Sequence, residues 1–320
     1  MAHDLRPTRN AILAETWLRP GRQMSGRLRY VAVTAARDEA LNLPRLANSL
    51  SLQTVRPVSW WIVENGSADD TFDVAKMLSA KHDWVTVHRI PGTAKPTRGE
   101  PIVQALHEAV AAIEHQPPDI LVNLDADVSF DPEYFDRLLA EFEGEALLGI
   151  ASGTCHEFAH GAWRPRHVTG TSVWGAARAY RWDCLHDVLP LEERFAWDGI
   201  DEIKANARGW RTSTIPDLPF RHHRAEGARD ESGYAARKAQ GRAAHYMGYR
   251  PSYLLFRALR HLSSDPTAVA MALGYATAAF GRESRCSDLE ARAYLRRQQR
   301  LRHLRIRMRE TFGRTSAASS

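Results

Sequence analysis

Asp119-Ile120-Leu121-Val122-Asn123-Leu124-Asp125-Ala126-Asp127 is the stretch that decides how this chain is read. Apolar side chains at 120, 121, 122 and 124 lack the strict alternation of a half-solvated strand. They suit an interior parallel strand covered on both faces. Asp125 and Asp127 then fall where the strand leaves the sheet, and open α/β sheets bind ligands outside the carboxyl ends of their strands. Two acids spaced i, i+2 can share one hard divalent cation, which takes oxygen ligands. The same spacing also occurs in plain strand-to-helix turns with solvated acids, so the flanking sequence must decide. Asp131-Pro132 follows as an N-cap and first helical residue. Tyr134, Phe135, Leu138, Leu139 and Phe142 mark the apolar face of the helix after it.

Upstream, a strand–polar turn–helix unit occurs twice before residue 80. Tyr30 to Ala35 is a short apolar strand ending at Arg37, Asp38 and Glu39, and Leu43, Leu46, Ala47 and Leu50 lie at i, i+3, i+4, i+7 of a helix. Trp60 to Val63 is a second strand, ending at Glu64-Asn65-Gly66-Ser67, with Ser67 and Asp70 at the start of the next helix. Trp84 to Val87 is a third. Lys95, Arg98 and Gly99 make a basic turn before a helix through Val103, Leu106, Val110 and Ile113. Alternating strands and helices predict a doubly wound, mostly parallel sheet with helices on both faces. Its carboxyl edge gathers Asp38, Glu39, Glu64, Arg98, Asp125 and Asp127, a polar crevice suited to a nucleotide with its metal. No G-x-G-x-x-G follows the first strand and no G-x-x-x-x-G-K-[ST] is present, which disfavours a dinucleotide fold or a P-loop.

The totals agree with one large α/β domain and an appendage. Of 320 residues, 44% are hydrophobic and 25% charged, an ordinary globular composition. Cys155, Cys184 and Cys286 lie far apart without zinc or redox spacing, which predicts a reducing compartment. The N-terminus carries Asp4, Arg6 and Arg9 and does not read as a signal peptide. The most apolar later run, Ala268 to Phe280, is shorter than the about 20 residues that span a bilayer. The net charge of +5 is uneven: residues 281–320 hold 11 Arg against 4 acids, or +7, so the first 280 sum to −2. That argues against a basic surface for nucleic acid spread over the fold, and no nucleic-acid partner is expected. The expected organisation is a loose extension over 1–26, a catalytic domain over 27–225, a flexible loop and docked helix over 226–262, and a helical basic tail over 263–320.

The succession V-T-A-A-R-D-E-A-L-N-L-P-R-L, V-E-N-G-S-A-D-D-T, R-G before a helix, and L-D-A-D-V resembles the family 2 glycosyltransferases, over about residues 28 to 225. The resemblance implies the GT-A fold and a nucleotide-sugar donor, UDP- or GDP-linked. By it, Ala35, Arg37, Asp38, Glu39 and Glu64 would hold the base and ribose, and Arg98 would lie near the nucleotide. Asp125 and Asp127 would hold Mg2+ or Mn2+ on the diphosphate. Ala35 stands where a Pro is usual, Asp38 where an Asn is usual, and Glu64-Asn65 where two Asp are usual, which leaves the donor base open.

Further on, His156, His160, Trp163, Arg164, Arg166, His167 and Trp174 combine aromatic faces with donors. They suit either a sugar or phosphate ligand or a mobile surface loop, and the resemblance implies that this half of the chain builds the acceptor side. Trp197-Asp198-Gly199-Ile200-Asp201-Glu202 opens a helix, where acids are expected from the macrodipole alone. Its place before A-N-A-R-G-W-R-T resembles the acidic motif carrying the family's catalytic base, with Asp201 the first choice and Asp198 the second. After a strand from Arg211 to Ile215 come Phe220-Arg221-His222-His223-Arg224. The resemblance implies that one His, His222 first, completes the metal site, and Arg224 would neutralise the diphosphate.

In residues 226–250, Arg229, Arg237, Lys238 and Arg242 are expected on a loop folding over the donor. In the tail, Leu301, Leu304 and Met308 form one stripe ringed by Arg, either a basic amphipathic helix lying on an anionic membrane or a solvated end. The expected activity is inverting, metal-dependent transfer of a sugar to a saccharide or lipid-linked acceptor. The expected location is the cytoplasm, peripheral on the inner face of the plasma membrane through residues 281–320. The alternatives are a sugar-1-phosphate nucleotidyltransferase and a non-catalytic protein acting through its basic tail.

Overall fold

In the computed structural model, residues 27–92, 99–166, 172–224, 233–262 and 265–300 are described. The chain runs β1 (Tyr30–Ala36), α1 (Leu43–Ser51), β2 (Ser59–Glu64), α2 (Thr71–Lys81), β3 (Val85–Arg89), α3 (Glu100–Ile113) and β4 (Ile120–Leu124). Then follow β5 (Val128–Phe130), α4 (Tyr134–Gly144), β6 (Leu148–Ala159), β7 (Ala162–Pro165), β8 (Ala177–Arg181), α5 (Trp182–Val188), α6 (Trp197–Ala207) and β9 (Arg211–His222). The C-terminal part is helical: α7 (Gly233–Tyr246), α8 (Pro251–Leu262), α9 (Val269–Phe280) and α10 (Leu289–Gln298).

The strands form one sheet in the order β3-β2-β1-β4-β8-β6-β9-β5, with β7 on β6. Why the central strands are so apolar is clear from their two faces. Tyr30, Ala32, Ile120, Val122 and Leu124 point to one side, against Leu43, Leu46 and Leu50 of α1 and Phe135, Leu138 and Phe142 of α4. Val31, Val33 and Leu121 point to the other, against Val103, Leu106 and Val110 of α3. Each alternate set is buried, so no polar alternation survives in the sequence. Pairing is parallel from β3 to β4 and becomes mixed beyond: β8 runs antiparallel to β4 and β6, β9 parallel to β6, and β5 antiparallel to β9. Strand order reverses between β1 and β4, the switch point where such sheets open a crevice.

Two stretches depart from the sequence reading. Residues 156–165 are no free loop, because β6 and β7 pair as a hairpin from His156↔Pro165 to Ala159↔Ala162. Arg237, Lys238 and Arg242, expected on a loop, lie on helix α7. That helix is held by α9 at unusually close range. A Cβ on Gly241 would lie 1.9 Å from the Met271 carbonyl oxygen, and one on Gly274 2.0 Å from that of Lys238. Small residues at both crossing points let the two backbones touch. Gly274→Ala is therefore expected to push the helices apart and to destabilise by about 1–3 kcal/mol, as overpacking does, read as a lower urea midpoint. Arg229, His167 and the stripe Leu301, Leu304 and Met308 lie outside the described residues.

Candidate active site

The crevice at the carboxyl edge of β1 and β4 is built by hydrogen bonds that start from β4 itself. Asn123, the polar residue inside the apolar run, donates from Nδ2 to the Gly175 carbonyl at 2.9 Å. The Asp125 N–H donates to the Ala176 carbonyl at 2.9 Å. Residues 172–176 are thereby laid along the end of β4. Beyond Asp125 the chain turns into β5, which pairs Val128 with His222, and the His223 N–H donates to the Asp127 carbonyl at 2.8 Å. This pairing delivers His222 to the two acids from 95 residues beyond Asp127 and 97 beyond Asp125.

The ligand atoms of Asp125, Asp127 and His222 lie within 4.8 Å of one another. His222 Nε2 is 3.2 Å from Asp127 Oδ1, and Arg224 Nε is 3.4 Å from Asp127 Oδ2. Burial, with the Asp127 charge beside it, pushes the Asp125 carboxyl up to about 7. Burial also works against the Asp127 carboxylate, but the His222 hydrogen bond and charge and Arg224 hold it below its ordinary value. Burial opposes a charged His222, yet the hydrogen bonds to Asp127 and Cys155 and the two aspartates outweigh it and push the imidazole up to about 10. The two carboxylates draw positive charge towards them, from Arg224 and from a proton on His222 that a divalent cation would displace, since only the neutral imidazole ligates. Oxygen and imidazole ligands at this spacing suit a divalent cation of the Mg2+ or Mn2+ type.

Around this centre the expected donor-side residues take different positions. Glu39 is buried and receives Arg224 bidentately, at 3.1 and 2.8 Å. Arg224 thus bridges Glu39 and Asp127. Asp38 has φ +57° and accepts from the Ala68 N–H at 2.8 Å, tying the turn after β1 to the turn after β2. Ala35 and Arg37 are half-buried at the same edge. Glu64 is wholly buried, accepts from the Ser67 N–H and pairs with Arg89 at 2.8 Å, so its carboxylate also braces the turn. Next to it, Asn65 Oδ1 is buried without a hydrogen-bond partner, as is Trp174 Nε1 beside Gly175. Buried polar atoms are normally hydrogen-bonded, so each of these two is a candidate partner for a polar ligand. Arg98 lies outside the described residues. In the β6–β7 hairpin, Trp163 stands edge-on to His223 with centroids 5.2 Å apart, and Arg166 lies over Trp174 at 5.6 Å.

Asp198 and Asp201 share the first turns of α6 but face different surroundings. Asp201 is 1% exposed. Arg178 reaches its two oxygens at 2.6 and 3.1 Å, and the Tyr180 hydroxyl donates to it as well. Burial outweighs these partners and pushes its carboxyl up to about 6, while that of Glu202, on the same guanidinium, rises to about 8. Asp201, the first choice for the base, is thus enclosed by Arg178 and Tyr180, and Asp198 is the more accessible of the two. Asp198 is half-buried. A Cβ on Gly175 would lie 3.3 Å from its Oδ2, which places the carboxylate along the segment bound to Asp125. Its charge also acts on Asp125. Arg178, fully buried, donates to the Asp198 carbonyl at 2.7 Å and so fixes the turn that carries it. Sequence reasoning missed Arg178. Its only signal was a charge between Ala177 and Ala179 in a short strand that also carries Tyr180 and Arg181.

Residues 31–184 match the model of glycosyl transferase family 2. No curated protein matches the chain. Among solved structures, the fold is similar to that of the mannosyltransferase PcManGT from Pyrobaculum calidifontis, solved with GDP-Man and Mn2+, at 15% identity and TM-score 0.52, over 94% of this chain and 90% of that one. It is similar to GalNAc-T7, solved with UDP, GalNAc and Mn2+, at 13% identity and TM-score 0.55, over 76% of this chain and 52% of that one. Residues 1–349 of TarS from S. aureus, solved with UDP, align at 14% identity and TM-score 0.50, over 79% and 72%. At such identities the likeness establishes the GT-A fold.

Proposed function

We propose that this chain, a glycosyltransferase of family 2 by its residues 31–184, moves a sugar from a nucleotide-sugar donor to an acceptor hydroxyl with inversion, using Asp125, Asp127 and His222 to hold a divalent cation and Asp198 as the base. The observation that carries the reading is the convergence of three metal-type ligands at the sheet edge with a half-buried carboxylate on the adjoining segment. A bound cation would stabilise negative charge on the departing diphosphate.

The chain's own residues do the rest. Asp125 and Asp127 concentrate negative charge in a buried corner, which favours a cation over water alone. Arg224, already shared between Glu39 and Asp127, can offer its guanidinium to a phosphate oxygen as the diphosphate arrives. The orphaned Asn65 Oδ1 and Trp174 Nε1 are an acceptor and a donor for the donor's polar groups. Asp198 takes the proton of the acceptor hydroxyl while that oxygen bonds to the anomeric carbon. The bond from that carbon to the diphosphate oxygen breaks in the same step, and the nucleoside diphosphate leaves with the electron pair. One displacement at carbon inverts its configuration.

PcManGT and GalNAc-T7 were solved with nucleotide or nucleotide-sugar and Mn2+, which supports the class of donor and of metal. Calorimetry with UDP- and GDP-linked sugars tests the proposal. At least one is expected to bind with Mn2+ or Mg2+ present, and at least tenfold more weakly after chelation or in Asp127→Ala. Metal-independent binding of every donor would remove the cation from the account.

A further inference from the structure

Helix α8 turns its apolar residues the wrong way for a solvated surface. Against the body it buries Leu254 and Ala258, while Leu255, Phe256, Leu259 and Leu262 are 40–58% exposed. Positions 255, 256, 259 and 262 follow i, i+1, i+4, i+7 and lie on one stripe of a 3.6-residue helix. The next helix repeats the pattern: Val269, Leu273 and Phe280 of α9 are exposed at i, i+4, i+11. Single exposed leucines are ordinary, but a continuous stripe marks a contact surface.

Charge selects the occupant. Arg282 and Arg285, directly after α9, are exposed, and residues 281–320 carry 11 Arg against 4 acids. A second copy seated on the stripe would bring two such arginine-rich segments into one interface, and their repulsion opposes it. An anionic bilayer satisfies both features together, with apolar side chains entering the acyl boundary and arginines meeting the headgroups. No helix among the described residues is long and apolar enough to cross a membrane, so the contact is peripheral.

We infer that the exposed stripes of α8 and α9, with the arginines that follow them, form a docking surface for an anionic lipid membrane. The inference stands apart from the catalytic reading, since none of these residues belongs to the crevice. The test is co-sedimentation of the full chain with vesicles of phosphatidylcholine alone and of phosphatidylcholine with phosphatidylglycerol. The chain is expected to pellet with the anionic vesicles, less so in high salt, and poorly with the neutral ones. The double variant Leu255→Asp/Leu259→Asp should partition at least tenfold more weakly with an unchanged melting temperature, because both side chains already face solvent. The inference is overturned if the wild-type chain stays in the supernatant with anionic vesicles, or if the variant pellets equally. It is also overturned if light scattering shows a dimer that the variant dissociates, which would make a second copy the occupant. Removal of residues 301–320 that creates binding to neutral vesicles would assign the stripe to the chain's own tail, with the same consequence.

Discussion

Asp198→Asn is expected to lower glycosyl transfer by a factor on the order of 10²–10⁴, the usual contribution of a positioned base, while donor affinity changes less than twofold. The split follows from where the carboxylate lies. It borders Gly175, on the segment hydrogen-bonded to β4, and among the described residues it makes no ion pair like that of Asp201 with Arg178. The amide is nearly the same size and leaves the turn undisturbed, but it cannot take a proton. Steady-state rates beside calorimetric donor affinity make the check. Equal turnover in Asp198→Asn and wild type would remove Asp198 from the mechanism.

Asp201→Asn is expected to act on a different observable. Its carboxylate neutralises a guanidinium that is 0% exposed. The amide would turn an N–H towards Arg178 and leave a buried charge half-paired, a change that typically costs about 3–5 kcal/mol. Arg178→Met should destabilise similarly by stranding Asp201, whereas the double variant Arg178→Met/Asp201→Leu should recover part of the loss, because it removes both charges together. Urea unfolding of the four proteins gives the coupling. Arg178 is a positioning residue on this view: it holds the Asp198 carbonyl. A stable Arg178→Met protein should therefore lose turnover without weaker donor binding. If Asp201→Asn unfolds like wild type yet loses all transfer, the two acids exchange roles.

The sheet was readable one element at a time because hydrophobic period is a local property. Leu43, Leu46, Ala47 and Leu50 were placed on one helix face by spacing, and all four are buried in α1. The unbroken run from Ile120 to Val122 announced a strand covered on both sides, and its residues divide between two cores. The pair Asp125 and Asp127 was visible for the same reason: two acids at a strand's end need only neighbours in sequence to be noticed. Resemblance across several ordered motifs then supplied a family where no single motif was specific.

What spacing could not tell was which carboxylate is held in a buried ion pair. Asp198 and Asp201 are three residues apart on one helix, and the macrodipole accounts for both. The choice between them depends on Arg178, a residue of another strand whose partners come from α6 and from Val173. Likewise His222 reaches Asp127 only because β5 and β9 pair antiparallel, and Glu64 is an internal brace only because Arg89 ends the neighbouring strand. Local propensity and periodicity live in the covalent order of the chain. The ionisation, access and orientation of a side chain are set by groups that folding brings from elsewhere, so they exist only once the sheet has closed its edges.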